Sequence, residues 1–266
     1  MVQDFLTSKI SLSISKSKKP AFIPFIVSGY PDMQITKNLL LLFQKYNAAA
    51  IELGIPFSDP LADGAVIQNA ARIAINNGVT IDGIFELLQS LKNELQTPVI
   101  LFSYINLIIR YGLERFVKNA KDANVSGIIV PDLPIEESGE FAKLCEKYNI
   151  DLIMLIAPNS DKERIVKISQ ASKGFIYLVS STGVTGVRDS FSSLLSDLVK
   201  EIKSVSNVPV AVGFGISKPE HITELKNLGV DGAIIGSALI KIIDNSLNDH
   251  SSMINNMSVY ISSLFS

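Results

Sequence analysis

The sequence has few of the residues that build disulfide frameworks, metal centres and hydrolytic triads. Its 266 residues include one cysteine, two histidines and no tryptophan. The lone cysteine, Cys145, cannot form a disulfide within the chain, which suits a reducing compartment, and its amphipathic helical surroundings predict a buried, inert thiol. The histidines, His221 and His250, are not spaced from acids or the cysteine as metal ligands are. We therefore expect no metal site and no Ser-His-Asp triad.

Charge and long apolar runs are also scarce. The formal net charge is −2, and the one basic cluster, Lys16, Lys18 and Lys19, is short. Nucleic-acid binding is therefore not expected. No apolar run approaches the roughly 20 residues that a membrane span needs, and the N-terminus lacks the basic start and apolar core of a signal peptide. These absences predict a cytoplasmic protein that does not bind membranes.

What the chain does contain is a recurring unit of short apolar runs and longer amphipathic stretches. Continuously apolar runs are typical of parallel strands buried on both faces. Eight such runs, alternating with helices in a chain of this length, predict a single (β/α)8 TIM-barrel domain over residues 1–266, of class α/β. An open doubly wound sheet is the alternative, but no GxGxxG follows the first run. The runs are Ala21–Ser28, Ala48–Gly54, Pro98–Tyr104, Gly127–Asp132, Asp151–Pro158, Gly174–Ser180, Val208–Gly215 and Gly229–Ser237.

Several of the amphipathic stretches carry helix start signals. Asp32, Asp161 and Ser217 stand at N-cap positions, and Pro219 suits a first helical turn. The apolar pattern after Asp244 is compatible with a final extra helix. The predicted helices are Gln34–Tyr46, Ile81–Leu95, Leu113–Ala123, Glu136–Tyr148, Lys162–Ser169, Phe191–Val205 and Pro219–Leu228.

Acidic residues gather where the predicted strands end, which is where barrels of this type place their chemistry. Glu52 ends the second strand, and Asp59 and Asp63 lie in its loop. Partial burial would raise the pKa of Glu52 and fit it for proton transfer near neutral pH. Asp132 ends the fourth strand, and Tyr177 lies in the sixth. The alternative is that these acids cap a helix near residue 66 or bind loop amides.

Glycines gather at the ends of the last two predicted strands. Gly213–Gly215 ends the seventh strand, and Gly236–Ser237 ends the eighth and opens a helix. Barrels often bind phosphate between these two loops, where glycines let backbone amides approach the ligand. The pair predicts a site for a small phosphoester, and tight turns without a ligand are the alternative.

The connection Ser181–Ser190 is long for a barrel loop, and Gly183 and Gly186 could hinge it as a lid. An idle loop is the alternative. No lysine ends a strand, which argues against Schiff-base chemistry. The residues therefore predict acid–base chemistry on a small phosphorylated substrate.

Five motifs, in the same order along almost the whole chain, closely resemble the tryptophan synthase α subunit family. They are "IELGIPFSDPLADGAVIQ", "VPDLPIEES", "YLVSSTGVTGVR", "GFGIS" and "DGAIIGSA". The resemblance implies a (β/α)8 barrel and a lyase that cleaves indole-3-glycerol phosphate by a retro-aldol reaction to indole and glyceraldehyde 3-phosphate, in tryptophan biosynthesis.

The resemblance also implies roles for individual residues. Glu52 would be the general acid–base that moves protons between the glycerol hydroxyl and indole C3. Asp63 would hold the indole N–H and stabilise the cationic indolenine, and Tyr177 would line the same pocket. The phosphate would be held by Gly186, Gly215, Gly236 and Ser237, the indole ring would be sandwiched by Phe25, Leu101 and Phe214, and Thr185 would order Asp63 from the lid.

For partners, the resemblance implies docking on a β subunit in an α2β2 complex, to which indole passes. This chain would need no cofactor, because the pyridoxal phosphate belongs to the β subunit. Contacts with β are expected around Asp59 and near Asp132 and Pro134. Two alternatives remain open, a standalone lyase that releases indole and a non-catalytic activator of β.

Three positions depart from the usual family pattern. Asn47 stands for a glycine, Ala49 for an aspartate and Ala65 for a proline. We expect these changes to loosen the second strand and its loop and to weaken activity without the partner.

Overall fold

The structure is a computed structural model that describes residues 8–179, 193–213 and 215–265. Within these residues nine strands form one parallel sheet in the order β5-β4-β3-β2-β1-β9-β8-β7-β6. The strands are Ala21–Val27 (β1), Ile51–Gly54 (β2), Val99–Phe102 (β3), Val125–Ile129 (β4), Asp151–Ile153 (β5), Leu155–Ile156 (β6), Ile176–Val179 (β7), Val210–Gly213 (β8) and Gly232–Ile235 (β9).

The fifth predicted run contains two short strands, β5 and β6, separated by Met154. The two ends of the sheet meet at this run and close the barrel. β5 pairs with β4, and β6 pairs with β7. The amide of Tyr177 donates to the carbonyl of Met154 at 3.0 Å, and the amide of Met154 donates to Ser172 Oγ at 3.1 Å. Each of the eight predicted runs thus corresponds to one strand of the barrel, with β5 and β6 together forming the fifth. The predicted barrel with extra helices is confirmed.

The helices confirm the predicted alternation of strands and helices, although several of the predicted helices were too long. They are Lys9–Lys16 (α1), Met33–Lys45 (α2), Ala65–Asn76 (α3), Ile81–Ser90 (α4), Ile105–Tyr111 (α5), Leu113–Asp122 (α6), Gly139–Lys147 (α7), Lys162–Ala171 (α8), Ser193–Val205 (α9), Pro219–Asn227 (α10), Ser237–Asp244 (α11) and His250–Phe265 (α12). In the described residues, none of these helices is both long enough and apolar enough to span a membrane.

Two of the three predicted N-caps are confirmed. Asp32 and Asp161 accept bonds from amides three residues ahead, at 2.7 and 2.8 Å. The prediction for Ser217 was wrong, since Pro219 begins α10 and Lys218 is its N-cap. A proline at the first helical position fixes the start there, one residue later than the serine requires.

Helix α1 covers the amino end of the barrel. Ile10 and Ile14 are fully buried, and the Ile10 side chain lies so close to Gly127 in β4 that a Cβ there would come within 2.7 Å of it. Ser8 Oγ donates to Asp151 at 2.5 Å, and Ser11 Oγ donates to the carbonyl of Gly174 at 2.6 Å. These contacts place α1 across the starts of β4, β5 and β7.

The residues that depart from the family pattern are accommodated locally. Asn47, which follows α2, has a φ of 55°, a left-handed conformation that asparagine tolerates better than most residues. Ala49 is buried and donates its amide to Phe22 at 2.8 Å. Ala65 is the first residue of α3. The expected weakening of activity without a partner stays a prediction.

Candidate active site

A cavity of about 160 Å³ opens at the carboxyl ends of the strands, where the acidic and glycine motifs were predicted to converge. One water needs roughly 10–15 Å³ by this measure, so the cavity can hold a small molecule. The structure brings together seven of the predicted site residues in its lining: Phe25, Glu52, Asp63, Tyr177, Gly215, Gly236 and Ser237.

Glu52 lies at the base of this cavity. Its position in β2 is opposite Phe25 of β1, and strand alternation turns Ile51 and Leu53 to the other face. The residue is 1% exposed, and neither carboxyl oxygen has a hydrogen-bond partner in the described residues. Burial raises its pKa well above the usual range and so favours the protonated form, from which Glu52 can donate a proton.

Asp63 differs because, among the described residues, its carboxylate has a hydrogen-bond partner, Tyr104, which lies behind the cavity lining. Tyr104 Oη donates to Asp63 Oδ2 at 3.0 Å and accepts from the amide of Ala62 at 3.1 Å. Burial raises the pKa of Asp63 to about 6, while the bond from Tyr104 opposes this rise. Asp63 is therefore mostly ionised at neutral pH. Tyr104 was missed as a site residue, although it ends the predicted third run.

Tyr177 faces the same interior from β7. Its phenol lies over Gly213, where an added Cβ would come within 2.1 Å of the hydroxyl oxygen. Burial raises the pKa of Tyr177 well above its usual range, and the nearby carboxylate of Asp63 adds to this, so the hydroxyl keeps its proton. Gly213 thus has a steric role that its place in a phosphate motif did not predict.

Aromatic rings form one wall of the cavity. Phe25 and Phe102 meet edge to face with ring centroids 5.6 Å apart. A Cβ on Gly54 would approach the Phe25 ring to 2.9 Å, so this glycine makes room for the ring. The structure does not bring Leu101 to the cavity. Leu101 pairs with Leu53 on the opposite face of the strands, and Phe102 lines the cavity instead.

The other end of the cavity suits an anion. Gly236 is the N-cap residue of α11 and has no side chain to cap the helix. The amides of Leu239 and Ile240 donate to its carbonyl, which leaves the amides of Ser237 and Ala238 for a ligand among the described residues. Ser237 begins the helix, and Gly215 lies opposite with a φ of 82°. Lys241, one turn after Ser237, is the only cation among the described lining residues. It makes no ion pair there and was missed from the sequence.

The remaining predicted residues lie elsewhere. Thr185, Gly186 and Phe214, with the proposed lid Ser181–Ser190, fall outside the described residues. Asp59 is exposed and accepts from Ser58 at 2.5 Å.

Asp132 is also exposed, and its carboxylate accepts from the amide of Ile105 at the start of α5 at 2.9 Å. Cys145 is buried as predicted, and burial raises its pKa to about 12. No cluster of three potential metal ligands occurs in the part of the chain that is described.

The site therefore combines four features: a protonated carboxyl, an ionised carboxylate, an aromatic wall and an anion-binding end. Such a set can transfer a proton to a flat aromatic group whose side arm ends in phosphate. Asp63 can offset positive charge that develops on the ring.

Comparisons with known proteins match this arrangement. A family model described as "Tryptophan synthase alpha chain" matches residues 12–265. A tryptophan synthase alpha chain of Prochlorococcus marinus subsp. pastoris is 48% identical over 239 residues, which cover 90% of this chain and 86% of the relative. One from Microcystis aeruginosa is 46% identical, covering 86% and 87%.

A solved structure from Pyrococcus furiosus superposes with a TM-score of 0.86 at 38% identity, covering 93% of this chain and 98% of that one. Its title describes the mutual activation of the tryptophan synthase α2β2 complex of a hyperthermophile.

Proposed function

Because this chain belongs to the tryptophan synthase alpha chain family, we propose that Glu52, Asp63 and Tyr177 form the catalytic centre of its reaction. The chain is a lyase that cleaves indole-3-glycerol phosphate. The observation that carries the residue assignment is the buried carboxyl of Glu52, which faces the cavity and has no partner in the described residues. Burying an unpaired carboxyl lowers the stability of the fold, and such groups are typical of functional sites.

The proton transfers follow from the two unequal acids. Protonated Glu52 donates to indole C3, and the cationic indolenine that forms is stabilised by the carboxylate of Asp63 at the ring N–H. Glu52, now ionised, accepts the proton of the glycerol hydroxyl next to the ring. The carbonyl forms as the C–C bond breaks, and its electron pair restores the indole ring. Glyceraldehyde 3-phosphate and indole leave, and Glu52 is protonated again.

Binding of the substrate is shared between the two ends of the cavity. Phe25 and Phe102 enclose the indole ring, and the amides near Gly215, Gly236 and Ser237 bind the phosphate. Lys241 supplies a countercharge to the phosphate dianion. We extend the proposal to Phe214 at the ring, Gly186 at the phosphate and Thr185 beside Asp63, on the family resemblance alone.

We propose that a β subunit docks over the cavity mouth in an α2β2 complex, receives the indole and stimulates cleavage. The loop after β2 exposes Leu61 to 90%, and helix α5, which follows β3, exposes Ile109 to 58%. Large exposed apolar residues are typical of interfaces. Asp59, Asp132 and Pro134 complete this surface. We also propose a cytoplasmic location and one domain over residues 1–266, which the extent of the family match and the lone cysteine support.

Indole release from indole-3-glycerol phosphate tests the proposal. The purified chain is assayed with and without a β subunit, beside Glu52→Gln and the exposed control Glu94→Gln. We expect weak activity that β stimulates, that Glu52→Gln abolishes and that Glu94→Gln retains. Strong activity without β would favour a standalone lyase. If the chain released no indole but still activated β, it would be a non-catalytic activator.

A further inference from the structure

The loop that faces the phosphate end of the cavity is held from behind by two helices. Residues 215–217 follow β8, and all three line the cavity. The amide of Ser217 donates to His221 Nδ1 of α10 at 3.2 Å. The carbonyl of Ser217 accepts from Tyr260 Oη of α12 at 3.0 Å. Both main-chain polar groups of one cavity-lining residue are therefore bound by side chains from outside the loop.

The phenol of Tyr260 is a hydrogen-bond donor at neutral pH. It is partly buried, and this burial raises its pKa to about 12, so the phenol keeps its proton throughout the neutral range. The directional preference of this hydrogen bond from a partly buried donor favours one position and one orientation of the Ser217 peptide group.

Helix α12 also contacts the other half of the phosphate end. It packs against α10, which follows the loop, and against α11, whose first turn faces the ligand. The inner face of α12 is anchored in the core by four buried residues, Met253, Met257, Ile261 and Leu264. Helix α12 thus holds the loop of residues 215–217 and the first turn of α11 at a set distance from each other, on the two sides of the proposed phosphate site.

We propose that Tyr260 is a positioning residue for the phosphate end of the substrate, acting through the carbonyl of Ser217 together with His221. The inference deepens the proposed function and rests on it, because it assumes that the phosphate lies between Gly215 and Ser237. Preorganised amides bind an anion more tightly than amides that must be ordered on binding.

The competing explanation is that the Tyr260 hydroxyl only attaches α12 to the barrel. The chain provides a matched control for this, since Tyr46, the C-cap of α2, lies beside Ser258 and Ser262 of the same helix, and these hydroxyls lower its pKa. Tyr46→Phe removes a hydroxyl that lies against α12 but does not touch Ser217. Tyr260→Phe removes one that does, and both changes conserve the ring.

The test measures dissociation constants of glycerol 3-phosphate and of indole by calorimetry, for the full chain and both variants. We expect Tyr260→Phe to weaken glycerol 3-phosphate about 3- to 10-fold, the range of one hydrogen bond, with indole unchanged. Tyr46→Phe should change neither. In the cleavage assay Tyr260→Phe should raise KM by a similar factor and leave kcat within about two-fold.

Unchanged glycerol 3-phosphate binding by Tyr260→Phe would overturn the inference while leaving the proposed function standing. Equal weakening of both ligands, or equal effects of the two variants, would also overturn it in favour of simple attachment. A wild-type chain that binds neither ligand and releases no indole would overturn the proposed function and the inference together.

Discussion

Two buried carboxyl groups at opposite ends of the barrel have opposite environments. Glu52, at the carboxyl end, has no partner in the described residues. Asp231 precedes β9 at the amino end and is bonded by Lys19, by Lys203 at 2.9 Å and by the amide of Val210 at 3.0 Å. Burial alone would raise the pKa of Asp231, but these three donors outweigh it and lower the pKa.

The difference separates stability from catalysis. An acid whose folded pKa is raised destabilises the fold above its ordinary pKa, because folding must take up a proton. An acid whose folded pKa is lowered stabilises the fold above its ordinary pKa, and that contribution is lost as the pH falls through the folded value. Glu52 therefore costs stability at neutral pH, where Asp231 contributes to it.

The largest expected effect comes from removing the unpaired acid. Glu52→Gln should lower kcat by about 10²- to 10⁴-fold, the usual contribution of a general acid–base. It should also increase the free energy of unfolding, with an advantage over wild type that grows by up to about 1.4 kcal/mol per pH unit above the usual glutamate pKa. Urea unfolding at several pH values measures this. A variant that is less stable than wild type at pH 7 would show that Glu52 is paired.

Removing the paired acid should have the opposite profile. Asp231→Asn should lose about 1–3 kcal/mol of unfolding free energy at pH 7, because the donors of Lys19, Lys203 and Val210 lose a charged acceptor. The loss should shrink as the pH falls below the usual aspartate pKa. Urea unfolding with the exposed control Asp122→Asn measures it. A fall in kcat comparable with that of Glu52→Gln would contradict a purely structural role.

Like Glu52, Lys241 is a charged-type residue of the cavity lining, and it forms no ion pair within the described residues. Lys241→Met should raise KM for indole-3-glycerol phosphate about 3- to 10-fold with little change in kcat, since a countercharge to phosphate is lost in both ground and transition states. Steady-state kinetics beside Lys226→Met, an exposed lysine of α10, provide the test. Equal kinetics for the two variants would remove Lys241 from the site.

The smallest effect concerns Asp63. Its carboxylate accepts one side-chain hydrogen bond within the described residues, from Tyr104, so its environment is intermediate between those of Glu52 and Asp231. Activity should fall as the pH falls through about 6, where Asp63 takes up a proton. Tyr104→Phe removes a bond that favours the carboxylate, so the acid limb of the pH profile should move to higher pH by less than about one unit. A limb that stays in place would show that another group controls it.

The fold was predictable because eight apolar runs buried on both faces leave few alternatives to a barrel. The position of Glu52 followed from the same periodicity, since one acid in an apolar strand must face either the helices or the mouth. The upward shift of its pKa followed from burial alone. Such features depend on neighbours in sequence, and the sequence carries them directly.

What could not be predicted depends on residues that meet only in space. Tyr104 bonds Asp63 across 41 positions, and Tyr260 bonds Ser217 across 43. The error at Leu101 has a different origin, because a shift of one residue in a strand turns the side chain to the opposite face. Resemblance located the strand, but only the register with β2 shows that Phe102 lines the cavity.

Helix α1 lies far from the reacting atoms, yet its position affects how ligands exchange. The interior of such a barrel is filled with side chains, and α1 closes its amino end further, so the described residues open the cavity at the carboxyl end. We therefore expect a molecule bound over that opening to slow the exchange of ligands without touching a catalytic group.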